Sequence, residues 1–300
     1  MNIGCLGEGM IEIGGTPLRR AWGGDTLNTA VYLARLAGAA HRVHYLSALG
    51  CDSLSDALLA DWADEGIDTT RVARLAGRMP GLYLVETDLR GERRFHYWRS
   101  DSAARHHFAG GLDFAAIFAG LDAIYLSGIT LALFPPAERD RLLDALRQTR
   151  AQGTRVWFDN NFRPALWSAA EAADAYRALL PHTDIALLTE DDEHAVFGDA
   201  TPERIVARTL AAGCGEVVLK RGAQPALAAT AAETAEVAPA PVRPVVDTCA
   251  AGDSFGAAYL MARLAGHGFA AALAAGHALA GTVIGYPGAI IPRSAMLGAA

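Results

Sequence analysis

Short apolar strand-like segments alternate with helical ones through most of this chain, and that alternation limits the fold more than any other feature. A buried strand is read over residues 2–8. Further apolar runs lie at 43–48, 123–126, 155–158, 185–188 and 216–219. Between them the spacing predicts helices over 25–37, where Leu27, Ala30, Val31 and Ala34 recur at i, i+3, i+4 and i+7, and over 54–65, 137–152, 169–180, 191–197 and 202–212. Strands that are apolar on both faces and separated by helices imply an α/β fold: a mostly parallel central sheet covered on each side by helices, a three-layer sandwich.

One region breaks the rhythm. Residues 81–99 show β-rich alternation on both sides of Leu89-Arg90-Gly91, which reads as a hairpin with Gly91 at the positive-φ position. Pairing Asp88 with Glu92 sets Tyr83 opposite Tyr97, with Arg99 on the same face. With strand-like pieces around 11–22, this predicts a small β-sheet lid carried by a single domain that spans residues 1–300.

Three function classes fall away on composition. A net charge of −7, with basic residues interleaved among acids, offers no surface for nucleic acid. The cysteines at 5, 51, 214 and 249 form no CxxC pair, which argues against a zinc ribbon or a disulfide scaffold. No apolar run reaches membrane-spanning length and no secretory signal opens the chain, so a cytoplasmic protein is expected.

The chemistry concentrates in Asp247-Thr-Cys-Ala-Ala-Gly-Asp253-Ser-Phe, directly before a long apolar helical segment. Gly252-x-Ser254-x-Gly256 has the form of a serine nucleophile elbow, but residues 255–300 contain no Asp or Glu to complete a triad. A phosphate cradle suits the stretch better. The small residues Ala250, Ala251 and Gly252 leave backbone N–H groups exposed at a helix start, where the dipole favours an anion. Asp253 then sits in the first helical turn, within reach of a hydroxyl attacking that phosphate, and the dipole is expected to keep it an ionised, weak base.

This signature resembles the C-terminal motif D-T-x-A/G-A-G-D-x-F of the ribokinase-like (PfkB) carbohydrate kinases. Gly23-Gly24-Asp25-Thr-Leu-Asn28 and Leu49-Gly50-x-Asp52 resemble its N-terminal partner. Within the family the chain is most similar to the 2-keto-3-deoxygluconate kinases, through Pro80-Gly-Leu-Tyr83, Phe95-His-Tyr97-Trp-Arg99, Asp159-Asn-Asn-Phe-Arg163 and Tyr286-Pro-Gly-Ala-Ile-Ile-Pro292. The resemblance implies ATP-dependent phosphorylation of the keto-deoxy acid at its C6 hydroxyl, with Mg2+. Another PfkB activity, on fructose, ribose or a different keto-deoxy acid, and a silent sugar-acid sensor are the alternatives.

Carried onto matching positions, the resemblance makes Asp253 the catalytic base and Ala250, Ala251 and Gly252 the anion hole. Gly24, Asp25, Asn28, Tyr83, Tyr97, Arg99 and Arg163 become substrate-binding, and Lys220, Gly222, Thr248, Gly252 and His277 nucleotide-binding. Glu193, in Glu190-Asp-Asp-Glu193, matches the acid of the family's N-x-x-E motif and is expected to reach magnesium through water; Glu190 stands where the motif has Asn. The two arginines suit a carboxylate substrate, because a guanidinium fork can bind it bidentately. Cys249 replaces the usual Thr and puts a thiol beside the expected anion hole. An apolar lid face further predicts a homo-oligomer.

Overall fold

In this computed structural model, residues 1–15, 17–87, 93–198, 201–242 and 244–296 are described. In chain order, β1 (Asn2–Leu6) leads to the first lid pair, β2 (Met10–Gly14) and β3 (Arg19–Gly23), then to a helix over Asp25–Ala37 and β4 (Arg42–Gly50). The edge strands β5 (Ile67–Asp68) and β6 (Val72–Leu75) precede the second lid pair, β7 (Gly81–Thr87) and β8 (Arg93–Trp98). The remaining body strands are β9 (Ala123–Ser127), β10 (Arg155–Asp159), β11 (Ile185–Thr189) and β12 (Glu216–Lys220), followed by β13 (Ala226–Ala229) and β14 (Thr234–Val237).

The large sheet runs β14-β13-β12-β11-β10-β9-β1-β4-β5, with β6 also paired to β4. It is parallel from β12 to the β5 edge and antiparallel only at β13 and β14. Alternate residues of each strand feed two cores, as period 2 requires. Ile3, Cys5, Ala123, Tyr125, Trp157 and Val218 pack on the face covered by the helices Asp25–Ala37, Ala251–Leu264 and Phe269–Val283. Leu6, Ile124, Leu126, Val156, Phe158, Val217 and Leu219 pack on the other face, under Pro136–Ala151 and Ala169–Leu179. The expected three-layer sandwich is the fold. The strand read over 2–8 stops at Leu6, because the chain turns there to bring Glu8 into the lid joint. Strands β13 and β14 were not read from sequence: Ala226-Leu-Ala-Ala and Thr234-Ala-Glu-Val carry little β-propensity and form by pairing on β12.

The lid is a separate four-stranded sheet, β3-β2-β7-β8. Its register sets Tyr83 opposite Tyr97, as the alternation predicts. The turn read at Leu89-Arg90-Gly91, and the Asp88–Glu92 pair, lie outside the described residues. The lid is tied to the body where it leaves and re-enters. Glu8, in the segment between β1 and β2, is buried, and its Oε2 accepts from Arg99 Nε at 2.8 Å and from Arg99 Nη2. Ser102 Oγ, at the cap of the next helix, donates to Glu8 Oε1. One carboxylate thus fastens both ends of the lid, in an ion pair whose side chains are 10% and 1% exposed for Arg99 and Glu8.

Removing one partner of a buried pair leaves the other charge uncompensated, at a cost of about 3–5 kcal/mol. Glu8→Gln should therefore lower unfolding stability by about 3 kcal/mol or more, read as a shift of the urea midpoint at unchanged m-value. A midpoint equal to that of the wild type would show that the joint does not depend on this pair.

Candidate active site

The carboxyl ends of the parallel strands open, beneath the lid, into a cleft of about 1380 Å³. Gly24 lines the cleft, and Gly23 ends lid strand β3 just before it. A side chain at Gly23 would collide with the Tyr83 hydroxyl, and one at Gly24, where φ is 152°, with the Glu8 carbonyl. The helix that follows can therefore start directly under the lid. It brings Asp25 and Asn28, three residues apart, to the same side of its first turns.

Asn28 Nδ2 donates to Asp253 Oδ2 at 2.8 Å, which joins the two motifs across the floor. Asn161 Nδ2 donates to Asp25 Oδ2 at 2.7 Å. Lys220 Nζ donates to Asp159 Oδ2 at 2.6 Å. Three carboxylates, Asp25, Asp159 and Asp253, thus share one floor, each held by a neutral or cationic donor. Burial, and then the charges of Asp25 and Asp159, push Asp253 up from 3.8 to about 7, against the opposing effects of Asn28 and Lys220. This corrects the expectation that the helix dipole keeps Asp253 a weak, fully ionised base: loss of water and like-charge repulsion outweigh the dipole.

The helix carrying Asp253 spans Ala251–Leu264 and starts at Ala250, whose φ of 57° is left-handed. Among the described residues, Ala250 alone of the non-glycines has positive φ. No side chain caps this helix end. The Ala251 N–H turns back to the Thr248 carbonyl at 3.3 Å, so of the expected donors it is already used. The N–H groups of Gly252 and Asp253 meet no acceptor among the described residues, and both residues line the cleft. Ser254 is buried, and its hydroxyl donates to the Ala251 carbonyl at 3.1 Å, so the elbow reading fails on geometry as well as on its missing acid.

Toward one end of the cleft, His277 Nε2 donates to the Val237 carbonyl at 2.9 Å, and its ring meets Phe255 edge-on at 5.1 Å. Burial lowers its pKa, which keeps the ring neutral. Val245, Val246, Ala226 and Ala280 line the cleft with His277, and Thr248 and Gly222 line it with Lys220. This apolar slot beside open amides and an ammonium suits a flat base followed by phosphates.

Tyr83, Tyr97, Arg99 and Arg163 also line the cleft. Tyr83 donates its hydroxyl to Glu12, a partner the sequence reading missed. Arg99 is held by Glu8 and lies over the Tyr97 ring at 5.9 Å. Arg163 has a half-exposed side chain 3.9 Å from Asp192 and donates to its neighbour's carbonyl, Phe162 O, at 2.7 Å. Burial raises the Tyr83 and Tyr97 phenols, and Cys249 adds a smaller effect in the same direction.

Glu193 is placed differently from the expectation. It is buried and does not line the cleft; it accepts from Asn160 Nδ2 at 3.0 Å and pairs with Arg208. Its carboxylate is taken up by protein donors. Asp191 and Asp192 face the cleft instead, and Glu190 pairs with Arg221 at 3.4 Å. Among the described residues no cluster of three or more His, Cys, Asp or Glu side chains is arranged to hold a metal ion.

A model of the pfkB family of carbohydrate kinases matches residues 15–296. The chain belongs to that family. The pfkB kinases similar to it include the 2-dehydro-3-deoxygluconokinase of Escherichia coli, 48% identical over 98% of both chains. A PfkB protein from a Polaromonas species superposes with a TM-score of 0.84 at 29% identity, covering 100% of this chain and 99% of the other. A protein from Escherichia coli assigned as a ribokinase II, solved in complex with ATP and Mg2+, gives 0.82 at 25% identity, covering 96% and 94%. No described helix is long and apolar enough to cross a membrane.

The raised pKa of Asp253 acts on stability. The folded state binds the extra proton between the ordinary value of 3.8 and about 7, so this residue's contribution weakens as pH rises through that window and stays unfavourable above it. Asp253→Asn should then melt at a higher temperature than the wild type at pH 8, with the gap closing toward pH 4; an equal or lower midpoint at pH 8 would contradict the shift.

Proposed function

We propose that this chain is an ATP-dependent 2-dehydro-3-deoxygluconokinase, which transfers the γ-phosphoryl group of ATP to the C6 hydroxyl of 2-keto-3-deoxy-D-gluconate. The observation that carries this reading is the 48% identity, over 98% of both chains, to the Escherichia coli enzyme of that name. The cleft has the parts the reaction needs, and each residue role below belongs to the proposal. We read residues 1–300 as one kinase domain with its lid, working in the cytoplasm.

The base and ribose lie by His277, Val245 and Val246, and the phosphates by Lys220, Gly222, Thr248 and the amides of Gly252 and Asp253. Mg2+ bound with the phosphates would offset their charge. Asp191 and Asp192 suit its water shell, since Mg2+ keeps several waters and uses few carboxylates. The acceptor lies across the floor, its hydroxyls toward Asp25 and the unpartnered Oδ1 of Asn28, and its carboxylate toward Arg163, with Tyr97 and Arg99 above. The C6 oxygen attacks the γ-phosphorus, the bond to the β–γ bridging oxygen breaks, and Asp253 takes the hydroxyl proton. Charge that develops on the transferring group meets the helix amides and Lys220, donors already in place before reaction. Lid residues such as Trp98 and Leu18 expose apolar surface, which supports a homo-oligomer joined through the lid.

Coupled ADP release over a panel of sugars tests the assignment. The keto-deoxy acid should be turned over well above fructose or ribose; equal rates on neutral sugars would overturn it. Asp253→Asn should cut kcat by about a hundred- to ten-thousandfold, the range for a general base. Arg163→Gln should lower kcat/KM for the sugar acid roughly 10- to 100-fold, the worth of a hydrogen bond to a charged group, and leave residual neutral-sugar turnover unchanged.

A further inference from the structure

Lys220 and Asp159 are the last residues of β12 and β10, two parallel strands that both pair with β11. Crossing one intervening strand means spanning about 9–10 Å between backbones, which the long lysine stem accomplishes. Both side chains are buried, and the ammonium reaches Asp159 Oδ2 at 2.6 Å. A buried ion pair is poor value for stability alone, because desolvation offsets most of the attraction and an apolar pair would serve as well. The site of the pair is informative. A Cβ at Gly252 would lie 3.4 Å from Lys220 Nζ, so the ammonium is held against the backbone whose N–H groups open on the cleft.

The carboxylate is itself fixed. Asp159 Oδ1 accepts the Asn161 N–H at 3.2 Å, and Asn161 Nδ2 reaches Asp25 Oδ2 at 2.7 Å, so a chain of bonds runs from Lys220 to the acceptor side of the floor. Asp25, Asp253 and Asp192 are carboxylates near the pair. A lysine released from Asp159 would therefore have other carboxylates to choose from and rotamer freedom to regain.

We propose that Asp159 is a positioning residue for phosphoryl transfer: its carboxylate pins Lys220 Nζ beside the Gly252 backbone, so that the terminal phosphate of the nucleotide meets an ammonium already in place. This deepens the kinase reading and rests on it. In this role Asp159 acts through Lys220 rather than on either substrate.

The test is a double-mutant cycle on the full chain, with Mg2+ and a non-hydrolysable ATP analogue titrated calorimetrically and steady-state rates measured on the sugar acid. Asp159→Asn should weaken analogue binding about tenfold, with a parallel rise in the KM for ATP, while the KM for the sugar acid stays within about twofold. Lys220→Met should lose at least as much. The double variant should match Lys220→Met alone, because Asp159 has nothing left to position. Analogue binding unchanged in Asp159→Asn would overturn the proposal, and so would multiplicative losses in the double variant. If Asp159→Asn alone fails to fold, Asp159→Glu takes its place: with the carboxylate carried one methylene further it should still weaken analogue binding, and binding equal to the wild type would overturn the proposal. A wild-type protein that neither binds the analogue nor turns over any sugar would overturn the kinase reading itself, whereas an active wild type with an indifferent Asp159→Asn overturns only the positioning role.

Discussion

Like charges crowd the floor of the cleft. Asp25, Asp159 and Asp253 come from three distant parts of the chain, and the fold can hold them together only because each is matched by a donor: Asn161, Lys220 and Asn28. Two of those donors are neutral amides, which satisfy a carboxylate without cancelling its charge. The repulsion that remains, together with burial, is what brings Asp253 to about 7. A fully neutralised floor would be more stable and would leave Asp253 a weaker base. The sheet topology, the paired glycines and the left-handed start of the Asp253 helix all serve to keep this arrangement in register.

The lid depends on the body through the same economy of charges. Glu8 meets Arg99 and Ser102 at the root of the lid, and Glu12 meets Tyr83 within it. Arg99 therefore has two descriptions, one as a group over the cleft and one as a structural cation. Its Nε and Nη2 serve Glu8, while its guanidinium still overlies Tyr97.

How much of this was legible beforehand depended on the range of each interaction. The helix at Asp25–Ala37 was read to its observed bounds, because apolar periodicity and the preceding glycines are local signals. The Tyr83–Tyr97 pairing followed from alternation once Asp88 is paired with Glu92 across the turn. Lys220–Asp159 was not legible, since it requires knowing that β10 and β12 flank β11. Asp159 stood in plain view beside Arg163 in a quoted motif, and its place at a strand end was the available clue. The inward turn of Glu193 depends on Arg208 from another helix, and the edge strands β13 and β14 depend on a neighbour rather than on their own alanine-rich residues. Local chemistry was readable, and the choice of distant partner was not.

Gly23 has a consequence beyond its own turn. The Tyr83 hydroxyl occupies the space where a side chain at residue 23 would stand. Gly23 and Tyr83 lie on β3 and β7, which flank β2 in the same lid sheet, so the methyl group that the chain leaves out sets how the tyrosine packs inside the lid, and even alanine at this position would push its hydroxyl aside. A single hydrogen atom in place of a side chain leaves the space in which that hydroxyl reaches Glu12.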